Sequence, residues 1–120
     1  MNDEQFLDLA INTLEKIDEN LFDYSKIFDN HDNHNEDCKR CILGQIVLDN
    51  NLNKPRIVNH TSAYLTLNKE FFDTVSNKMF RAVVLGEFDR YGVKELYSYQ
   101  EDYSKQEVLE CLNKIKRINL

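Results

Sequence analysis

The sequence predicts an all-α fold, a single compact bundle of four to five helices spanning residues 1–120. Apolar residues recur at steps of three and four in several segments, which is the pattern of helices with one buried face. A chain of 120 residues is long enough for one compact domain and too short for two. No internal repeat, linker or low-complexity tail is found, and 42% hydrophobic with 30% charged residues is typical of a globular protein.

The first helix is predicted over residues 3–28, with Asn2 or Asp3 as its N-cap. Its apolar stripe consists of Leu7, Ala10, Leu14, Ile17, Leu21, Tyr24 and Phe28. This spacing suits either a coiled-coil seam against a partner helix or contact with the core of the same bundle. Phe6 and Leu9 widen the stripe, which favours contact with the core.

A polar loop and a second helix are predicted next. Residues 29–37 are all polar or charged, so they form a loop that buries no apolar face. The second helix is expected to begin at Asn35 or Asp37 as its cap and to be broken by Asp49-Asn50-Asn51. The following segment, residues 54–58, contains the only proline and is predicted to be a connector.

Two further helices are predicted in the second half of the chain. The third helix is expected to begin at Asn68 and to end at Gly92. The apolar residues on one of its faces are Phe72, Val75, Met79, Ala82 and Gly86. Ser104 and Glu107 have the spacing of a capping box, which predicts the start of the last helix. The stripe of that helix consists of Val108, Cys111, Leu112, Ile115 and Ile118.

Charge is distributed unevenly along the chain. Residues 1–37 hold eleven acidic and two basic residues, whereas the whole chain has a net charge of −6. This balance excludes binding to a polyanion by bulk charge, so nucleic acid is not an expected partner. The acidic segment is interpreted either as a solvated surface that keeps the protein soluble or as a surface that binds a basic protein partner. For the second interpretation, the candidate residues are Glu15, Asp18 and Asp23.

Signals for membrane insertion and secretion are not found in the sequence. The longest apolar run, residues 82–85, is four residues, far below the roughly 20 that span a bilayer. The acidic start differs from the basic start of a secretory signal. An odd number of cysteines, three, without such a signal favours a reducing compartment, so a cytoplasmic location is predicted.

His31, His34, Cys38 and Cys41 lie within eleven residues and offer two imidazoles and two thiols. This is the ligand set of a structural zinc site. Its spacing differs from that of a zinc finger, whose ligand pairs lie about a dozen residues apart. The alternative is a polar loop with incidental histidines, with Cys38 exposed and Cys41 packed in the core. Zinc is therefore the one cofactor that the sequence suggests.

Motifs for catalysis are not found. The three glycines are isolated, so no phosphate-binding loop is present, and no serine lies in a nucleophile elbow. Tyr97, Tyr99 and Tyr103 form a cluster before the last helix. This cluster either anchors a protein interface or packs around the start of that helix.

The segment Cys41-Ile42-Leu43-Gly44-Gln45 resembles the Cys-x-x-Gly helix of small, uncharacterised phage and bacterial proteins. The resemblance implies no activity. The same residues are similar to the cysteine helix of bacterial chemoreceptor zinc-binding domains. That family has a histidine in its first helix and a later His-x-x-x-His, and both are missing here. Its zinc-binding function is therefore not carried over.

The leading hypothesis is a small non-enzymatic interaction or regulatory protein, encoded by a phage or mobile element, that binds another macromolecule. The alternative is a zinc-binding helical domain centred on His31, His34, Cys38 and Cys41. A third hypothesis is an enzyme whose site is assembled from scattered carboxylates and tyrosines.

Overall fold

The computed structural model describes residues 1–22, 40–49, 74–93 and 103–119, which confirm the all-α prediction. The helices in these parts of the chain are α1 (Asp3–Lys16), α2 (Ile42–Asp49), α3 (Asn77–Leu85) and α4 (Lys105–Asn119). Two 3-10 helices accompany them, at Glu19–Leu21 and Phe88–Tyr91. Among the described residues no strand occurs, and none of the helices has the length and apolar character to cross a membrane.

A capping box begins α1, and its N-cap is Asn2, one of the two residues that the sequence predicts for this position. The side-chain oxygen of Asn2 accepts a hydrogen bond from the backbone N–H of Gln5 (2.8 Å), and the Gln5 side chain accepts one from the N–H of Asn2 (2.9 Å). Two of the unpaired N–H groups at the helix start are satisfied in this way. The buried residues of α1 are Phe6, Leu7, Ala10, Ile11, Thr13 and Leu14.

The end of α1 lies earlier than predicted, so the prediction of one helix through residue 28 is wrong. The helix ends at Lys16, and Ile17 has an extended conformation (φ −81°, ψ 125°). The carboxylate of Asp18 then accepts a hydrogen bond from the N–H of Asn20 (2.9 Å) and caps the first 3-10 helix. Short polar side chains that bind the nearby backbone in this way compete with continuation of a helix.

The start of α2 lies later than predicted. Arg40 forms an isolated parallel β-bridge with Phe22, and its backbone N–H donates to the carbonyl of Leu21 (2.8 Å). Because residue 40 pairs in this extended manner, a continuous helix from Asn35 or Asp37 is wrong. The end of α2 at Asp49 agrees with the prediction.

The start of α3 is set by a contact with the beginning of the chain. The hydroxyl of Ser76 accepts a hydrogen bond from the N–H of Met79 (3.1 Å) and is the N-cap. The carboxylate of Asp3 accepts hydrogen bonds from both the N–H (2.6 Å) and the hydroxyl (2.7 Å) of Ser76. The predicted continuous helix from Asn68 is therefore wrong, because a capped helix start lies at Ser76.

Two glycines end the helical segments in this region. Gly86, at φ 74°, ends α3, and Gly92, at φ 68°, ends the second 3-10 helix. Glycine adopts this left-handed conformation without the cost that a Cβ atom brings. Gly92 is thus a stop signal, as predicted, but the α-helix has already ended at Gly86.

The capping box of α4 is confirmed. The N–H of Ser104 donates to the carboxylate of Glu107 (3.3 Å), and the N–H of Glu107 donates to the Ser104 hydroxyl (3.2 Å). The residues of the predicted stripe that are buried are Val108, Cys111, Leu112 and Ile115. Ile118 is 65% exposed, so its predicted burial is wrong. An apolar stripe is buried only as far as neighbouring elements cover it.

The core forms around α1, which packs against α2, α3 and α4. The stripe residues Leu7, Ala10, Leu14 and Ile17 have no exposed surface. This burial within one chain confirms contact with the core rather than a coiled-coil seam.

The pair formed by α1 and α4 is antiparallel. The Nζ of Lys105, at the start of α4, donates to the carbonyl of Glu15 near the end of α1 (3.2 Å). The Nζ of Lys116, near the end of α4, lies 2.7 Å from the carboxylate of Asp8. These two contacts place the end of α1 beside the beginning of α4.

Candidate functional site

The end of α1 and the 3-10 helix after it form an exposed acidic surface. Glu15, Asp18 and Glu19 are exposed. Asp49, at the end of α2, joins them through its contact with Lys16 (3.8 Å between Nζ and Oδ2). We call these four acidic residues the acidic end of α1. Among the described residues, no cation forms an ion pair with the carboxylate of Glu15, Asp18 or Glu19.

Two lysines lie beside the acidic end of α1 without neutralising it. Lys105 donates to the backbone carbonyl of Glu15 rather than to its carboxylate. Lys16 lies at 3.8 Å from Asp49, and its side chain is 64% exposed. Four carboxylates and two ammonium groups leave a local net charge of −2 among these described residues.

The dipole of α1 disfavours the carboxylate of Glu15. The last turn of a helix carries unpaired carbonyl groups and partial negative charge, which favour cations there. Glu15 lies in the last turn of α1, whereas Glu19 lies in the first turn of the following 3-10 helix, which Asp18 caps. An anionic side chain in the position of Glu15 costs about 0.3–1 kcal/mol at an exposed site. The placement therefore reduces the stability of the helix end.

Two acidic residues nearer the start of α1, Asp3 and Asp8, are bound by partners. Asp3 accepts the two hydrogen bonds from Ser76, and Asp8 pairs with Lys116. The hydrogen bond from Lys116 to Asp8 and the attraction of that carboxylate raise the pKa of Lys116. The carboxylates of Glu15 and Glu19 have no such partner among the described residues.

A buried hydrogen-bonded chain positions Asp49 in the acidic end of α1. Arg40 is 5% exposed, and its Nε donates to the side-chain oxygen of Gln45 (2.7 Å). The side-chain nitrogen of Gln45 then donates to the carboxylate of Asp49 (2.8 Å). Most buried polar groups in proteins have hydrogen-bond partners of this kind. These two hydrogen bonds were not predicted from the sequence. The four-residue spacing of Gln45 and Asp49 on a helix is nevertheless a signal for the hydrogen bond between them.

None of the other residues predicted to bind a partner adds to the acidic end of α1 in the described part of the chain. Asp23, Tyr97 and Tyr99 lie outside the described residues. Tyr103 is 5% exposed, and its ring packs edge-on against Phe88, with 5.7 Å between ring centroids and an interplanar angle of 79°. Tyr103 is therefore a core residue, in agreement with the packing interpretation, and not part of an exposed interface.

Of the four predicted zinc ligands, only Cys41 lies in the described residues, whereas His31, His34 and Cys38 lie outside them. Cys41 has no exposed surface, and its carbonyl accepts the first helical hydrogen bond of α2 from Gln45 (3.2 Å). Its position is thus the N-cap. In the described part of the chain no three His, Cys, Asp or Glu side chains converge as a metal site. Zinc binding stays a prediction.

Glu87 forms a second charged cluster, between α3 and the second 3-10 helix. Its carboxylate accepts hydrogen bonds from Arg81 (2.6 and 3.2 Å) and Arg90 (3.3 Å). Partial burial raises the pKa of Glu87, but the hydrogen bonds and charges of the two arginines outweigh it, so the pKa is lowered overall. This carboxylate is satisfied internally, and the cluster stabilises the turn at Gly86.

Comparisons of the chain with models of protein families, with curated proteins and with solved structures find no match. The resemblance of residues 41–45 to small phage and bacterial proteins stays a prediction.

Proposed function

We propose that this protein is a small non-enzymatic interaction protein that binds a basic surface of a partner protein through the acidic end of α1. The observation that carries the proposal is the set of exposed carboxylates at Glu15, Asp18 and Glu19, which no described cation neutralises.

The energetic cost of the Glu15 carboxylate supports the proposal. Cations are the favoured residues at the end of a helix, and Glu15, in the last turn of α1, departs from that preference. Local choices that reduce stability are concentrated at functional sites, because selection retains them there for another reason. A binding role gives such a reason.

The chemistry of the surface favours lysine or arginine side chains in the partner. The carboxylates of Glu15 and Glu19 accept charge-assisted hydrogen bonds from ammonium or guanidinium groups. Lys105 already places one ammonium group against the carbonyl of Glu15, so this end of α1 accommodates a cation. Exposed charge pairs of this kind act mainly on the rate of association and on specificity.

Capture of binding partners from cells that express the gene tests the proposal. The wild-type protein is compared with E15Q/E19Q, which removes two charges from the acidic end of α1. The matched control is D89N/E110Q, which removes two charges from exposed residues elsewhere. Quantitative mass spectrometry should find a partner that the wild type and the control retain and that E15Q/E19Q loses. An identical set of retained proteins for all three would contradict the proposal.

The cellular context belongs to the same proposal. We infer a cytoplasmic protein, encoded by a phage or mobile element. The odd number of cysteines supports a reducing compartment.

Zinc binding is the second candidate function. The position of Cys41 at the start of α2 supports it, whereas the burial of Cys41 in the core is what the alternative interpretation predicts. The N-terminal end of a helix favours negative charge, and zinc binds the thiolate form of cysteine. Cys41 lies at that position in α2. Zinc bound by Cys41 with His31, His34 and Cys38 would then connect the polar loop to the start of α2.

A further inference from the structure

We draw no further inference here: the strongest candidate, the open groove of about 400 Å³ along the outer face of α4 beside Lys114 and Arg117, carries nothing because Glu110 and the ion pair between Lys116 and Asp8 offset its positive charge and nothing in the described residues shows what covers it.

Discussion

Replacing Leu14 by alanine removes three carbon atoms from the buried face of α1, near the end of the helix. The Leu14 side chain has no exposed surface. Burial contributes about 0.8 kcal/mol per methylene group, so the lost transfer free energy alone is about 2.4 kcal/mol. The cavity that remains adds to this loss, and the expected total is about 2–5 kcal/mol. Such a loss is a large share of the roughly 5–15 kcal/mol by which a domain is stable.

Urea unfolding followed by circular dichroism measures this effect. With a denaturant slope of about 2 kcal/mol per molar urea, a loss of about 3 kcal/mol lowers the midpoint by about 1.5 M. Ile118→Ala is the matched control, because the side chain of Ile118 is 65% exposed and its truncation should change stability by no more than about 0.5 kcal/mol. If Leu14→Ala unfolded at the wild-type midpoint, the assignment of the α1 stripe to the core would be refuted.

Two further substitutions and one chelator treatment provide additional tests. Gly86→Ala should lower the free energy of unfolding by about 1–2 kcal/mol, because φ at Gly86 is 74° and a Cβ atom disfavours this conformation. A urea midpoint equal to that of the wild type would be inconsistent with a left-handed conformation at Gly86. The lowered pKa of Glu87 means that its contribution to stability is present above its ordinary value of 4.5 and is lost as the pH falls through the folded value. Glu87→Gln should therefore flatten the acid side of the stability curve, and a curve that keeps the wild-type slope there would argue against the role of its arginine partners. If Cys41 and the other predicted ligands bind zinc, protein purified without chelator should contain about one equivalent of zinc and melt at a lower temperature once a chelator removes it. Elemental analysis that finds less than about a tenth of an equivalent would end the zinc hypothesis.

The fold class was predictable because helix periodicity and capping signals are local. The part of the predicted first-helix stripe from Leu7 to Ile17 and the capping box at Ser104 and Glu107 are patterns within a few residues, and both are present in the structure. Tyr24 and Phe28 of that stripe lie outside the described residues. Both patterns depend on side chains that are close in the sequence, so they can be recognised without knowledge of the tertiary structure.

The helix boundaries were less predictable because distant contacts set them. Asp3 binds Ser76, which is 73 positions away in the sequence, and that pair marks the start of α3. In the same way, the β-bridge between Phe22 and Arg40 holds residue 40 in an extended conformation, so α2 begins only after it. No pattern within either segment carries information about such a pairing.

The candidate site was predicted in part. The charge imbalance of the first segment pointed to Glu15 and Asp18, and both are exposed. Asp49 was missed because it reaches the site through Gln45 and through packing of α2 against α1.

The association rate with the captured partner, measured over a range of salt concentrations, tests the central claim most directly. If the acidic end of α1 binds a basic surface, the wild type and D89N/E110Q should associate more slowly as ionic strength rises, because salt screens the attraction. E15Q/E19Q should associate several-fold more slowly than both at low salt and should depend less on salt. Equal rates and equal salt dependence for all three proteins would contradict the claim.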